Sequence, residues 1–136
     1  MAEHEKIEYQ DLKAGQEFPS AAFQVDTATV ADYLKAVEED NVIYRNTGLV
    51  PPMALAALAL KALINTISMP PGTIHVSQEF EFIAAVNTRD TLTSQAKVSR
   101  VQERGKLHLM TVDISVVNQE QKPVLAGKTS FVLPVQ

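Results

Sequence analysis

Hydrophobic and polar positions follow successive rhythms along this chain, and each rhythm predicts a different element. The opening, Asp11-Leu12-Lys13-Ala14-Gly15-Gln16-Glu17-Phe18-Pro19, is polar and turn-rich, with a short strand expected at Phe23 to Val25. From Thr27 the period lengthens. Val30, Tyr33 or Leu34, and Val37 fall at helical spacing, and Thr29 with Asp32 three residues on resembles a capping box. That helix runs out around Glu38 to Asp40. Residues 41 to 50 hold Asn41, Asn46 and Gly48, which mark a loop.

Pro51-Pro52 suits the first turn of a second helix, where a missing N–H goes unnoticed. From Met53 to about Ile67 the sequence is almost entirely Ala, Leu, Ile and Met. A helix apolar on nearly all sides is expected to be surrounded by protein. Pro70-Pro71-Gly72 ends it. Everything later reads as strand. Val76, Gln78, Phe80 and Phe82 alternate with Ser77, Glu79 and Glu81. Residues 91 to 102 and 107 to 117 are two long alternating runs around Glu103-Arg104-Gly105-Lys106, with Met110, Val112, Ile114 and Val116 on one face. After the turn at Asn118-Gln119-Glu120-Gln121-Lys122, a last strand runs from Val124 to Leu133.

A long antiparallel meander with one apolar helix predicts an α+β domain whose sheet wraps the helix. Strand edges left bare in one chain invite pairing across a dimer. One domain over 1–136, with its core at about 11–134, accommodates the chain of 136 residues.

Composition narrows the chemistry. Twelve basic against sixteen acidic residues give a net charge of −4 with no basic cluster, so nucleic acid is not expected as a partner. With no cysteine, disulfides, thiolate catalysis and cysteine-bound metals are excluded. The acidic start, Met1-Ala2-Glu3-His4-Glu5-Lys6, is unlike a signal peptide. The stretch Met53 to Met69 carries Lys61 and Asn65 and is short for a bilayer span. A cytoplasmic protein without membrane attachment is the expectation. His4, His75 and His108 have no metal-ligand spacing, so neither metal nor cofactor is expected. Ser68, Ser77 and Ser130 lack a nucleophile elbow.

Three segments carry a resemblance. Asp11-Leu12-Lys13-Ala14-Gly15 with Phe23-Gln24-Val25 comes first. Pro71-Gly72-Thr73, Ser77-Gln78-Glu79-Phe80-Glu81-Phe82 and Asp90-Thr91-Leu92-Thr93 follow, then Val116-Val117-Asn118-Gln119 with the last strand containing Gly127. In this order and spacing the chain, from Asp11 to Pro134, resembles the MaoC-like family of hot-dog proteins. That family groups (R)-specific enoyl-CoA hydratases and 3-hydroxyacyl thioester dehydratases. The resemblance implies a hot-dog fold, an acyl-CoA or acyl carrier protein thioester as ligand, and a place in fatty acid metabolism.

The family's signature is Gly-Asp-x-Asn-Pro-Ile/Leu-His, usually followed by Ala-His-Gly-Met where the central helix starts. Aligned through Asn41, its Asp falls on Glu39 and its His on Tyr44, while its Gly falls on Glu38 and its Pro on Val42. Asn41 and Ile43 match. Pro51-Pro52-Met53-Ala54 replaces the His-Gly-Met segment. A one-residue slip would make Asp40 the acid but set Arg45 at the histidine position.

Adding water to an α,β-unsaturated thioester needs one group to activate water and one to manage the proton at the α-carbon. A backbone N–H at the start of the central helix can hold the enolate oxygen. By resemblance, Glu39 and Tyr44 take the catalytic positions, and Asn41, Pro52, Met53 and Ala54 the substrate-binding ones. Glu is one methylene longer than Asp, and a phenol is a poor base near neutrality. A helix-end role for Glu39 and a packing role for Tyr44 are therefore preferred, and Asn41 either orders the loop by Asx-type bonds or lines the pocket. Arg100, Arg104, Lys97, Lys106 and Lys128 are candidates for CoA phosphates, with scattered surface charge the plainer explanation. Residues 51 to 69 contain no Asp, Glu or His, which disfavours thioesterases that carry their acid on this helix.

Three functions follow from the resemblance. The preferred one is an acyl-thioester-binding subunit, catalytically impaired, that partners a catalytic MaoC-like chain. The second is an active hydratase or dehydratase, a hydro-lyase, using Glu39 and Tyr44. The third is a homodimeric binding protein without catalysis.

Overall fold

Period-two alternation dictates the three longest strands, which pair in sequence order as a meander. The computed structural model describes residues 6–134. Its elements are β1 (Ile7–Glu8), a 3-10 turn (Tyr9–Asp11), β2 (Ala21–Phe23), α1 (Thr27–Ala36), a second 3-10 turn (Val42–Tyr44) and α2 (Pro52–Ile64). These are followed by β3 (Ile67–Ser68), β4 (Ile74–Phe82), β5 (Leu92–Arg104), β6 (Leu107–Val117) and β7 (Pro123–Pro134). The main sheet has the order β2-β5-β6-β7-β4, all neighbours antiparallel. β1 and β3 form a separate parallel pair, with Ile7 opposite Ile67. This is an α+β hot-dog fold.

The inner face of the sheet is set by cross-strand pairs. Met110 lies opposite Phe131, Val112 opposite Thr129 and Val116 opposite Leu125, and all six are buried. All but Thr129 join Ala54, Leu55, Ala59 and Leu63 of α2 in one core cluster. Each fully buried aliphatic side chain there stabilises the fold by about 1.5–3 kcal/mol.

Several expectations shift on contact with the tertiary structure. The short strand forms at Ala21–Phe23, opposite Ser94–Leu92, rather than at Phe23 to Val25; Val25 is buried without being in a strand. The cap of α1 is Asp26, whose Oδ1 accepts from the Thr29 N–H at 2.7 Å, and not the Thr29–Asp32 box. The helix α2 stops at Ile64. The N–H and hydroxyl of Thr66 both donate to the Leu63 carbonyl (3.0 and 2.7 Å), which closes the helix and releases Ile67 to pair in β3.

Full enclosure of α2 is also not found within one chain. Ala54, Leu55, Ala56, Ala59 and Leu63 are buried, but Met53, Ala57, Lys61 and Ile64 form an exposed stripe on the other side. A single sheet has one inner face, and a helix has two sides to cover.

In β4 the alternation breaks. Its register with β7 slips between His75 and Ser77, so Val76 has no partner on β7. That β-bulge turns His75 to the inner face, beside Phe131 and Thr129.

Candidate active site

The segment that the sequence aligns with the family's catalytic signature lies between α1 and α2, and its backbone is fixed by local chemistry. Glu38 adopts φ 56°, the left-handed conformation that glycine favours. Its N–H donates to the Lys35 carbonyl at 3.2 Å, and the next N–H, of Glu39, donates to the Leu34 carbonyl at 2.9 Å. These are the paired bonds of a Schellman C-cap. The Glu38 and Glu39 side chains are exposed, with no hydrogen bond or ion pair from either carboxylate among the described residues.

Asn41 starts the 3-10 turn, its Oδ1 accepting from the Ile43 N–H at 3.0 Å. Asp40 holds Arg45 through its backbone carbonyl at 3.4 Å. Further on, the Thr47 hydroxyl donates to the Ile43 carbonyl at 2.8 Å. Asn87 Nδ2 donates to the Thr47 carbonyl, and the Val50 N–H to the Val86 carbonyl. The loop is thereby latched to the segment that follows β4. Gly48 is required at this latch: it has φ 73°, and a Cβ there would stand 2.8 Å from Asn87 Nδ2.

Between loop, helix start and sheet end lies an apolar cavity of about 260 Å³. It is lined by Ile43, Tyr44, Leu49, Val50, Pro52, Leu55, Phe82, Ala84, Ala85 and Val86. Tyr44 contributes the one side-chain hydroxyl of this wall. No carboxylate, imidazole or ammonium lines it. Of the positions chosen from the sequence, Tyr44 and Pro52 line the cavity, while Glu39, Asn41, Met53 and Ala54 do not. The lining residues Leu49, Val50, Leu55, Phe82, Ala84, Ala85 and Val86 were not foreseen. The pair of small residues Ala84-Ala85 directly after a strand was the one available signal.

At the start of α2, two prolines remove two N–H groups, and the Ala54 and Leu55 N–H groups both donate to the Pro51 carbonyl. The Met53 N–H has no backbone partner among the described residues. The candidate phosphate-binding cations stand away from the cavity: Lys128 meets Asp113 at 3.6 Å, and Arg100 donates to Gln102 at 2.6 Å. Among the described residues there is no cluster of metal-ligating groups, and no helix is long and apolar enough to cross a membrane.

A sheet curled on one apolar helix, with its cavity at the helix start, defines the class of MaoC-like hot-dog dehydratases. The chain belongs to the family described as FAS1-like, dehydratase domain region, whose model matches residues 12–126. No curated protein matches the chain significantly by sequence. Solved structures share the fold at low identity. The (R)-hydratase from A. caviae involved in PHA biosynthesis is 21% identical, with TM-score 0.78 over 92% of this chain and 99% of its own. A MaoC-like dehydratase from Rhodospirillum rubrum is 16% identical, with TM-score 0.77 over 94% and 97%. The ChsH1-ChsH2 complex from Mycobacterium tuberculosis contributes a chain 13% identical, with TM-score 0.74 over 89% and 98%.

Proposed function

We propose that this chain binds the acyl group of a CoA- or carrier-protein-linked thioester in the cavity beside Tyr44. A single chain is catalytically impaired and acts as one subunit of an assembly with a second hot-dog chain that completes the acid–base pair. One observation carries this reading: the cavity wall is apolar apart from Tyr44 and holds no group that can take a proton from water near neutrality. Its volume lies just below the usual range for small-molecule sites, about 300–1,000 Å³, which fits a short acyl tail. Catalysis by Glu39 with Tyr44 is the weaker alternative, because Glu39 serves the α1 C-cap with its carboxylate in solvent. The ChsH1-ChsH2 complex, which contains a chain of this fold, supports an assembly with a second chain.

The reading is tested by titrating purified protein with butyryl-CoA in a calorimeter, alongside Ala84→Trp, which fills the cavity. Saturable binding that the variant loses is the expected result. Undiminished binding by Ala84→Trp would place the acyl group elsewhere.

A further inference from the structure

Gln24, Thr91 and Gln119 lie far apart in the chain and meet at one point of the structure. Gln24 Nε2 donates to Thr91 Oγ1 at 3.1 Å. The Thr91 N–H donates to Gln119 Oε1 at 3.1 Å, and Gln119 Nε2 donates to Asp90 Oδ1 at 3.0 Å. The exit of β2, the entry to β5 and the turn between β6 and β7 are thereby tied together.

From this node a continuous path of hydrogen bonds runs to the cavity. Asp90 Oδ2 accepts from the Asn87 N–H at 2.8 Å, and the Asp90 N–H donates to the Asn87 carbonyl at 2.9 Å. Residues 87 to 90 are closed as a tight turn, which fixes Asn87. Its Oδ1 accepts from the Arg89 N–H at 3.0 Å, so its Nδ2 is the end that reaches the Thr47 carbonyl at 3.2 Å. Beside that bond, the Thr88 N–H donates to the Gly48 carbonyl and the Val50 N–H to the Val86 carbonyl, both at 2.8 Å. Leu49, Val50 and Val86 are walls of the cavity, whereas Asp90 and Gln119 do not touch it.

The node accepts only certain chemistry. At its ends stand two backbone donors, the N–H groups of Asn87 and Thr91, which cannot reverse their polarity. Each needs an acceptor, and between those acceptors one side chain must donate to the other. One carboxylate and one amide satisfy this; Asp90 with Gln119 is that combination. Asp90→Asn alone leaves two amides, and a donor faces a donor whichever way they turn. Gln119→Glu alone leaves two carboxylates, and an acceptor faces an acceptor with like charge. Both changes together satisfy every donor again, with the charge moved across the bond.

We propose that Asp90 and Gln119 are positioning residues that set the acyl-binding wall of the cavity from outside it. They act through Asn87, whose amide holds the loop carrying Leu49 and Val50 against Val86. The inference rests on the acyl-thioester reading above and names what keeps that wall in place.

The test compares wild type, Asp90→Asn, Gln119→Glu and the double variant. Calorimetry gives their affinities for butyryl-CoA and free CoA, urea denaturation their stability, and hydrogen exchange the protection of the Val50 and Thr88 amides. Each single variant should bind butyryl-CoA about three- to tenfold more weakly, the equivalent of one lost hydrogen bond, with its affinity for free CoA unchanged. In both singles the two amides should exchange faster. The double variant should recover native affinity and native protection. As a control, Thr111→Val removes a hydroxyl bonded to Ser130 at 2.9 Å, away from the cavity wall. It should lower stability and leave both affinities as they are.

Single variants that lose stability yet keep the native preference for butyryl-CoA would overturn the proposal, since a merely structural role predicts that result. A double variant no better than the singles would overturn it as well. A wild type with no preference for butyryl-CoA would remove the acyl-thioester reading and the part of the proposal that depends on it. Native exchange at Val50 and Thr88 in both single variants would remove the hold on the wall and leave that reading in place.

Discussion

The backbone N–H of Glu39 donates to the carbonyl of Leu34 at 2.9 Å, so the residue that the sequence aligns with the family's acid closes a helix with its main chain. Its side chain is exposed, and the strain sits one residue earlier, where Glu38 holds φ 56°. Glu38→Gly should therefore raise stability, by about 1 kcal/mol or less, because glycine enters this conformation freely although it adds entropy to the unfolded chain. Glu39→Gln should change stability by less than about 0.5 kcal/mol. Urea denaturation followed by circular dichroism measures both.

Asp26 should make α1 sensitive to acid. Hydrogen bonds from the side chain and then the backbone N–H of Thr29 hold its carboxyl below its ordinary range, outweighing the opposing effect of desolvation. A group whose folded pKa is depressed stabilises the fold above its unfolded value and loses that contribution as pH falls through the folded one. Thermal midpoints of wild type and Asp26→Asn should thus differ at pH 7 and converge below about pH 4. A difference that persists undiminished at low pH would assign the effect to something other than the carboxylate.

Gly48 ties the loop to the sheet. Gly48→Ala combines a left-handed backbone with a Cβ 2.8 Å from Asn87 Nδ2. It should cost about 1–3 kcal/mol and weaken thioester binding through displacement of Leu49 and Val50. Asn87→Ala opens the same space while removing the bond to the Thr47 carbonyl. The double variant should accordingly be less destabilised than the sum of the singles, as measured by a double-mutant cycle.

What could be read from the sequence divides along physical lines. Met110, Val112, Ile114 and Val116 were legible as a buried face because β6 has neighbours on both sides and polar residues between. The bulge at Val76 was not, since Val76, Gln78, Phe80 and Phe82 look regular and only pairing with β7 reveals the slip. Nor was the exposed stripe Met53, Ala57, Lys61 and Ile64, because a helix rich in Ala and Leu on both sides does not declare which side one chain covers. The cap at Asp26 was open to recognition as an Asp just ahead of a helical period, but the Thr29–Asp32 pair drew the assignment one turn too late. At the site, Tyr44 and Pro52 were chosen through the family signature. The opposite wall, Phe82 to Val86, comes from a distant segment whose small side chains have meaning only once the loop folds against it.

Tyr44 offers a hydroxyl with no hydrogen-bond partner among the described residues, at the edge of an otherwise apolar wall. Tyr44→Phe should leave stability within about 0.5 kcal/mol of wild type. Its affinity for butyryl-CoA should be close to native, as chemical denaturation and calorimetry would show. A large loss of affinity would give the hydroxyl a direct bond to the thioester.

The most direct test of the acyl-binding claim compares the affinity of the purified protein for butyryl-CoA and for free CoA by isothermal titration calorimetry. The two ligands differ only in the group assigned to the cavity. If the wall of Ile43, Tyr44, Leu55, Phe82 and Ala84 takes the acyl tail, butyryl-CoA should bind at least about tenfold more tightly, given about 0.8 kcal/mol for each buried methylene. Equal affinities, or no binding of either ligand, would contradict it.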